Sequence, residues 1–120
     1  MAEHNELGVL GEELALKELQ QKGYTLKERN YRFKKGEIDL IMIDGSKLVF
    51  VEVKTRQTAE IGEPYLSVTK RKQKQIIQTA HQYIISKDIE MDVRFDIVSI
   101  VHNSYRTKIE HIEDAFYATM

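Results

Sequence analysis

The sequence predicts an α/β domain in which a mixed central sheet carries a helix on each face. Three observations point there. Residues 37–54 (EIDLIMIDGSKLVFVEVK) read as two strands closed by a short glycine-containing turn. Two stretches outside that hairpin, residues 5–22 and 69–86, repeat their apolar side chains with helical period. The second stretch separates the hairpin from another strand-like run, VRFDIVSIV at residues 93–101. Two central strands bridged by a helix require a crossover, so the third and fourth strands should be parallel.

Taken in order, the first helix should cover residues 5–22 and stop at Gly23, acting as C-cap. A turn of about 100° per residue places Leu7, Leu10, Gly11, Leu14, Ala15 and Leu19 on one broad side. Gly8, Gly11 and Ala15 form a strip of small residues there. Glycine costs about 1 kcal/mol in a helix interior, so the strip predicts close packing against another backbone. Glu12 falls at the edge of that side and Glu13 on the polar side. From the helix alone, Glu12 reads more readily as a boundary glutamate than as a ligand. Residues 24–33 (YTLKERNYRF) form the first strand, interrupted at Asn30-Tyr31 and followed by the basic turn Lys34-Lys35-Gly36.

Within the hairpin, Gly45 and Ser46 as loop residues set Asp44 against Lys47. Ile43 then faces Leu48, Ile41 faces Phe50, Asp39 faces Glu52 and Glu37 faces Lys54, all on one side. Ile38, Leu40 and Met42 meet Val49, Val51 and Val53 on the other. Two apolar faces imply strands covered on both sides. Residues 55–68 are polar, contain Gly62 and Pro64, and read as a loop. The second helix buries Gln73, Ile76, Ile77, Ala80, Tyr83 and Ile84 at helical spacing. Residues 108–112 form a short edge strand, and residues 114–117 a terminal turn. His4, His81, His102 and His111 show no ligand spacing and read as surface or boundary residues.

At 120 residues the chain suits one domain, residues 1–120, with a single sizeable core. A hydrophobic share of 42% with 31% charged residues excludes a disordered class. A net charge of −1 means that any surface for nucleic acid is a local patch. The absence of cysteine excludes disulfides and thiolate chemistry and fits a cytoplasmic location. No apolar run reaches transmembrane length and the start lacks signal-peptide features, so no membrane partner is expected.

Chemistry concentrates in the hairpin. Like charges facing each other across strands are destabilising, and burying ionised carboxylates without partners costs several kcal/mol each. Asp39 against Glu52 therefore calls for a compensating cation, and hard oxygen ligands favour Mg²⁺ or Mn²⁺. An ordinary ion pair between Glu37 and Lys54 is the simpler alternative, and a one-residue slip would separate the acids. Lys54 shares a side with Glu52 and could polarise a water or a phosphate. Lys70, Arg71, Lys72 and Lys74 crowd the first turn of the second helix, where cations oppose the helix dipole. Contact with a phosphate backbone, shared with Arg56, would account for them, and a solvated surface would do so equally well.

Gly11-Glu12-x-x-Ala15, GEIDLI (residues 36–41) and FVEVKTR (residues 50–56), with RFDIV (residues 94–98) and Ala115-Phe116, resemble the YraN family of endonuclease-like proteins. The element order and Glu52-Val53-Lys54 are similar to the wider PD-(D/E)xK nuclease superfamily and its Holliday-junction resolvases. The resemblance spans nearly the whole chain. It implies a restriction-endonuclease-like αβββαβ core and a site of Glu12, Asp39, Glu52 and Lys54. Ile38 stands where the superfamily pattern has proline, which leaves open whether Glu37 takes part. The implied activity is Mg²⁺- or Mn²⁺-dependent hydrolysis of a phosphodiester in nucleic acid, DNA first and branched or repair intermediates among its forms. Asp39, Glu52 and the Val53 carbonyl would hold the cation, Glu12 would complete the set, and Lys54 would orient or deprotonate water. Arg56, Lys70, Arg71 and Lys72 would position the strand, and cutting both strands of a junction would suit a homodimer. The competing expectation is a non-catalytic nucleic-acid-binding module, or a partner-dependent subunit that retains the metal site. A purely structural interaction protein would leave the opposed acids unexplained.

Overall fold

Periodicity and turn chemistry translate into α1 (Ala2–Gln21), β1 (Thr25–Phe33), β2 (Gly36–Asp44), β3 (Lys47–Arg56), a short 3-10 helix (Pro64–Ser67), α2 (Lys70–Ser86), β4 (Asp92–His102) and β5 (Thr107–Phe116). These come from a computed structural model that describes residues 2–60 and 62–117, with side chains from Glu6 onward. The five strands lie in the order β1-β2-β3-β4-β5. Neighbours are antiparallel except β3 and β4, which are parallel, as the helical crossover requires.

Each face of the sheet has its own apolar layer. On one, Ala15, Leu16 and Leu19 of α1 pack over Leu40, Met42, Val49, Val51, Val98 and Ile100. On the other, Ile76, Ala80 and Tyr83 of α2 pack over Ile41, Leu48, Phe50, Phe95 and Ile97. Full burial of such side chains contributes roughly 1.5–3 kcal/mol each, so both strands of the central hairpin are locked from two sides. α1 ends where Gly23 adopts φ 95°, with Tyr24 N–H donating to the Leu19 carbonyl at 3.0 Å. α2 begins at Thr69, whose hydroxyl accepts from Lys72 N–H at 3.1 Å.

The hairpin register is the expected one from Asp44↔Lys47 to Leu40↔Val51. Four expectations need correction. Only Gly11 and Ala15 of the small-residue strip are buried; Gly8 has no neighbour within 4 Å and Leu10 is exposed. The helix axis leaves the sheet at its N-terminal half, a divergence that side-chain period does not encode. Ile38 packs among the α2-side residues rather than with Leu40 and Met42, so alternation along β2 breaks at Asp39. Residues 64–67 of the expected loop wind into the 3-10 helix behind Pro64, which can open a helical turn because its missing N–H is not needed there. The expected terminal turn is strand: β5 continues to Phe116 through a bulge that sets Phe95 against Phe116 and Ile97 against Ile112. Among the described residues no helix is long and apolar enough to cross a membrane.

Candidate functional site

The site forms where β2 and β3 stop pairing. Beyond Leu40↔Val51 the ladder ends, and the Asp39 carboxylate takes over from the backbone: its Oδ2 accepts the Val53 N–H at 2.8 Å. The substitution of a side-chain acceptor for a carbonyl lets β2 turn away while leaving no donor unsatisfied. Glu52 lies one residue before Val53 on the α2 side of the sheet and is only 4% exposed. Lys54 Nζ approaches Glu52 Oε2 at 3.7 Å and Lys72 Nζ, from the first turn of α2, at 3.9 Å.

The Asp39 and Glu52 carboxyls lie close enough to shift each other's ionisation. Burial, followed by the charge of Asp39, pushes the Glu52 carboxyl up to about 8, against the pull of Lys72 and Lys54. Burial raises Asp39 as well, although the bonds from Val53 and Glu52 hold it down. Of the two, Glu52 is the one that its neighbour pushes up, whereas the Glu52 side chain draws Asp39 down.

Glu12 comes from α1, on the opposite face of the sheet. Burial, then the charge of Asp39, raises its carboxyl, and the nearby Asn30 side chain opposes the shift. Asn30 sits in β1 between the pairs Arg29↔Leu40 and Tyr31↔Ile38 with φ 51°, so the expected interruption is a single left-handed residue inside a continuous strand. Next to it Arg29 binds Glu13 at 2.7 Å and ties β1 to α1. Glu37 pairs with Arg32 at 3.1 Å, so the expected Glu37–Lys54 pair is replaced by two others. Its charge still raises both Asp39 and Glu12.

The structure thus brings Asp39, Glu52, Lys54 and Lys72 together, with Glu12 and Glu37 around Asp39. Among the described residues, no three His, Cys, Asp or Glu side chains converge closely enough to hold a metal ion. Mg²⁺, however, is commonly held by one or two carboxylates, keeping waters and substrate phosphates as its other ligands. Two neighbouring acids whose mutual charge raises Glu52 form such a donor pair, since a cation between them would offset that repulsion. The donor set fits a hard divalent cation through Asp39 and Glu52, with Glu12 held back behind the sheet.

Of the basic residues, Lys72 faces the site, whereas Lys70 and Arg71 are exposed and Arg56 is half-buried at the end of β3. Thr69, Arg71, Lys72, Lys74, Gln75 and Gln78 line an open cleft beside the acids. Sequence reasoning placed Lys72 among phosphate contacts and missed that it reaches Glu52; its position within a basic run masks a single inward side chain.

A second polar cluster lies toward the other end of the sheet, and sequence reasoning missed it as well. Arg94 and Asp96, facing α1 from β4, bind each other through Nε–Oδ1 and Nη2–Oδ2 contacts of 2.9 Å. Arg94 also reaches the Tyr24 hydroxyl at 2.6 Å and Asp44 at 3.0 Å. His111, expected as a surface or boundary residue, lies at the boundary with its ring enclosed: its Nε2 meets Asp96 at 2.7 Å and its Nδ1 meets Lys22 Nζ at 3.0 Å. An ammonium can only donate, so Nδ1 accepts and the ring proton sits on Nε2 facing Asp96. Burial would raise the Asp96 carboxyl, but the bonds from His111, Arg94 and the Asp114 N–H outweigh it and hold the group low. The R-x-D spacing in an apolar strand is the trace of this cluster in the sequence: two charges on one face must find partners.

A family model described as "Uncharacterised protein family UPF0102" matches residues 11–100, a span that includes Glu12, Asp39, Glu52 and Lys54. Similar proteins carry the same description. One from Christiangramia forsetii is 46% identical over 117 residues, covering 98% of both chains. One from Flavobacterium psychrophilum is 44% identical with 98% of both chains covered. One from Chlorobium chlorochromatii is 48% identical over 118 residues, covering 93% of this chain and 92% of its own.

Proposed function

The chain belongs to the UPF0102 family, and we propose that its acidic site hydrolyses phosphodiester bonds in nucleic acid with the help of Mg²⁺ or Mn²⁺. DNA is the first substrate class, with branched or repair intermediates among its forms. The observation that carries this reading is the wedge between β2 and β3, where Asp39 and Glu52 meet beside two lysines. Asp39 and Glu52 would hold the cation, with the Val53 carbonyl beside them. A divalent cation in that place supplies Lewis acidity, which acidifies water and offsets charge developing on phosphorus. Asp39 keeps one oxygen on Val53 N–H, which fixes the carboxylate's orientation and leaves the other oxygen to ligate. Lys54, already beside Glu52, donates to the developing phosphorane charge or orders the attacking water. Lys72, Arg71, Lys70 and Arg56 take the flanking phosphates, at the mouth of the cleft along α2. Glu12 lies within reach of the Asp39 charge, which helps to raise its carboxyl.

A second reading is a nucleic-acid-binding module without chemistry, or a subunit that acts with a partner. It is favoured by the ion cluster itself: Lys54 and Lys72 already attend Glu52, and among the described residues no buried side-chain nitrogen or oxygen lacks a partner. The test is cleavage of duplex, single-stranded, flapped and junction DNA in Mg²⁺, in Mn²⁺ and in EDTA. Asp39→Asn retains a carbonyl oxygen for the Val53 N–H and so keeps the fold. It is expected to lower cation-dependent cleavage at least about a hundredfold. Undiminished cleavage by this variant would refute the site assignment, and nucleic-acid binding without any cleavage would favour the second reading.

A further inference from the structure

Tyr105 is the most exposed large hydrophobic side chain of the described residues, at 93%, and it stands on a turn built to hold it. The turn joins β4 to β5 beyond the pair His102↔Thr107. Asn103 Oδ1 accepts from the backbone N–H groups of Tyr105, at 2.8 Å, and Arg106, at 3.2 Å. The Asn103 N–H donates to the Arg106 carbonyl at 3.0 Å. Its side-chain amide donates to the Gln57 carbonyl at 2.7 Å, fastening the tip to the residue that follows Arg56. A flexible polar tip needs none of these bonds, and a ring that packs against nothing adds no stability to the fold.

The turn extends the same end of the sheet that holds the acidic site. β3 and β4 are parallel, with Lys54 beside Ser99 and Arg56 beside Val101, so the turn that follows His102 lies beyond the same end of β3. From Ser99, level with Lys54, the strand runs to His102, roughly 10 Å at about 3.3 Å per residue, and the turn stands beyond that, a reach of a few nucleotides. Exposed Arg106 flanks Tyr105, and Arg56 and Lys54 lie between it and the acids. A solitary exposed aromatic has no meaning by itself. One held rigidly, among cations, in line with a phosphodiester site has the composition of a stacking platform, where basic groups follow the backbone and a ring takes the base.

We infer that Tyr105 stacks on an unpaired nucleobase of the strand whose phosphates pass Arg56 and Lys54. This rests on the nucleic-acid reading given above and adds a preference to it: bases in continuous duplex present no free face, so single-stranded or flapped nucleic acid is favoured.

Fluorescence anisotropy in EDTA, without cleavage, measures binding of a single strand, a flapped duplex and a blunt duplex of the same sequence. Tyr105→Ala is expected to weaken the single strand and the flap by about tenfold or more. The blunt duplex should change by less than about twofold, and Tyr105→Phe should match the wild type, because stacking uses the ring and not the hydroxyl. A 2-aminopurine placed in the single strand should be quenched by the wild type and by Tyr105→Phe, but not by Tyr105→Ala. Equal losses on all three substrates, a single strand bound equally well by Tyr105→Ala, or a Tyr105→Phe loss as large as that of alanine would each overturn the inference while leaving the nuclease proposal standing. If the wild type binds none of the three, the nucleic-acid reading fails and takes this inference with it.

Discussion

Glu52 and Asp96 are both acidic side chains in the interior of the sheet, and they titrate in opposite directions. Asp96 is surrounded by donors and is held low. Glu52 meets another acid first and two lysines at 3.7 and 3.9 Å, and is pushed up to about 8. The sign for stability follows. A carboxyl raised from 4.5 to about 8 on folding binds its proton more tightly in the folded chain. Its contribution is fully present below about pH 4.5 and is lost as pH rises through about 8. Glu52→Gln, which keeps shape and hydrogen bonding without the charge, should therefore stabilise the EDTA-treated protein at pH 8. The gain, at most on the order of a few kcal/mol, should shrink toward pH 5. Thermal melts of both proteins at the two pH values measure it. A variant less stable than the wild type at pH 8 would mean that the lysines, and not the proton, neutralise Glu52.

Two glycine–threonine contacts set how the helices lie on the sheet. A Cβ on Gly11 of α1 would stand 1.9 Å from the Thr55 hydroxyl of β3, and one on Gly36 of β2 would stand 1.9 Å from the Thr79 hydroxyl of α2. Gly36 precedes Glu37 and Asp39, so its contact fixes how closely α2, and with it Lys72, approaches the acids. Gly36→Ala should destabilise the protein by about 1–3 kcal/mol through overpacking. Adding Thr79→Ala should recover part of that loss, because the remaining nearest side-chain atom is a Cβ at 3.2 Å. Denaturant melts of the single and double variants check it, and a double variant no better than Gly36→Ala would show that strain in the backbone, not the hydroxyl, is responsible. At this scale the sequence was largely legible. Alternation and the Gly45 turn were enough to register Leu40 to Val51, and a helix between two strands was enough to make β3 and β4 parallel. The break at Asp39 was not legible, since it arises from a side chain taking a backbone donor, and period-two reasoning assumes that backbone pairs with backbone. The divergence of α1 that exposes Leu10 depends on an axis angle, which side-chain spacing leaves free. The enclosure of the His111 ring was not legible, because its partners Lys22 and Asp96 come from other elements and no spacing in the sequence links them.

In the molecule as a whole, charge is sorted between the two ends of the sheet. Toward one end, Arg94, Asp96, His111, Lys22 and Tyr24 close on one another and join α1, β1, β4 and β5. Toward the other, β2 and β3 part, and Asp39 and Glu52 are brought together with basic residues of β3 and α2 around them. A net charge of −1 hides this separation. Buried acids attended by lysines are an arrangement found where a chain gives up stability for chemistry, which is the role proposed for the parted end. Calorimetric titration of Mn²⁺ into EDTA-stripped protein at pH 8, in two buffers of different ionisation enthalpy, tests that assignment most directly. The wild type should take up the ion saturably and release a proton as it does so, and Asp39→Asn should not. No uptake by the wild type even with nucleic acid present, or equal uptake by Asp39→Asn, would contradict the proposal that these two acids hold a divalent cation.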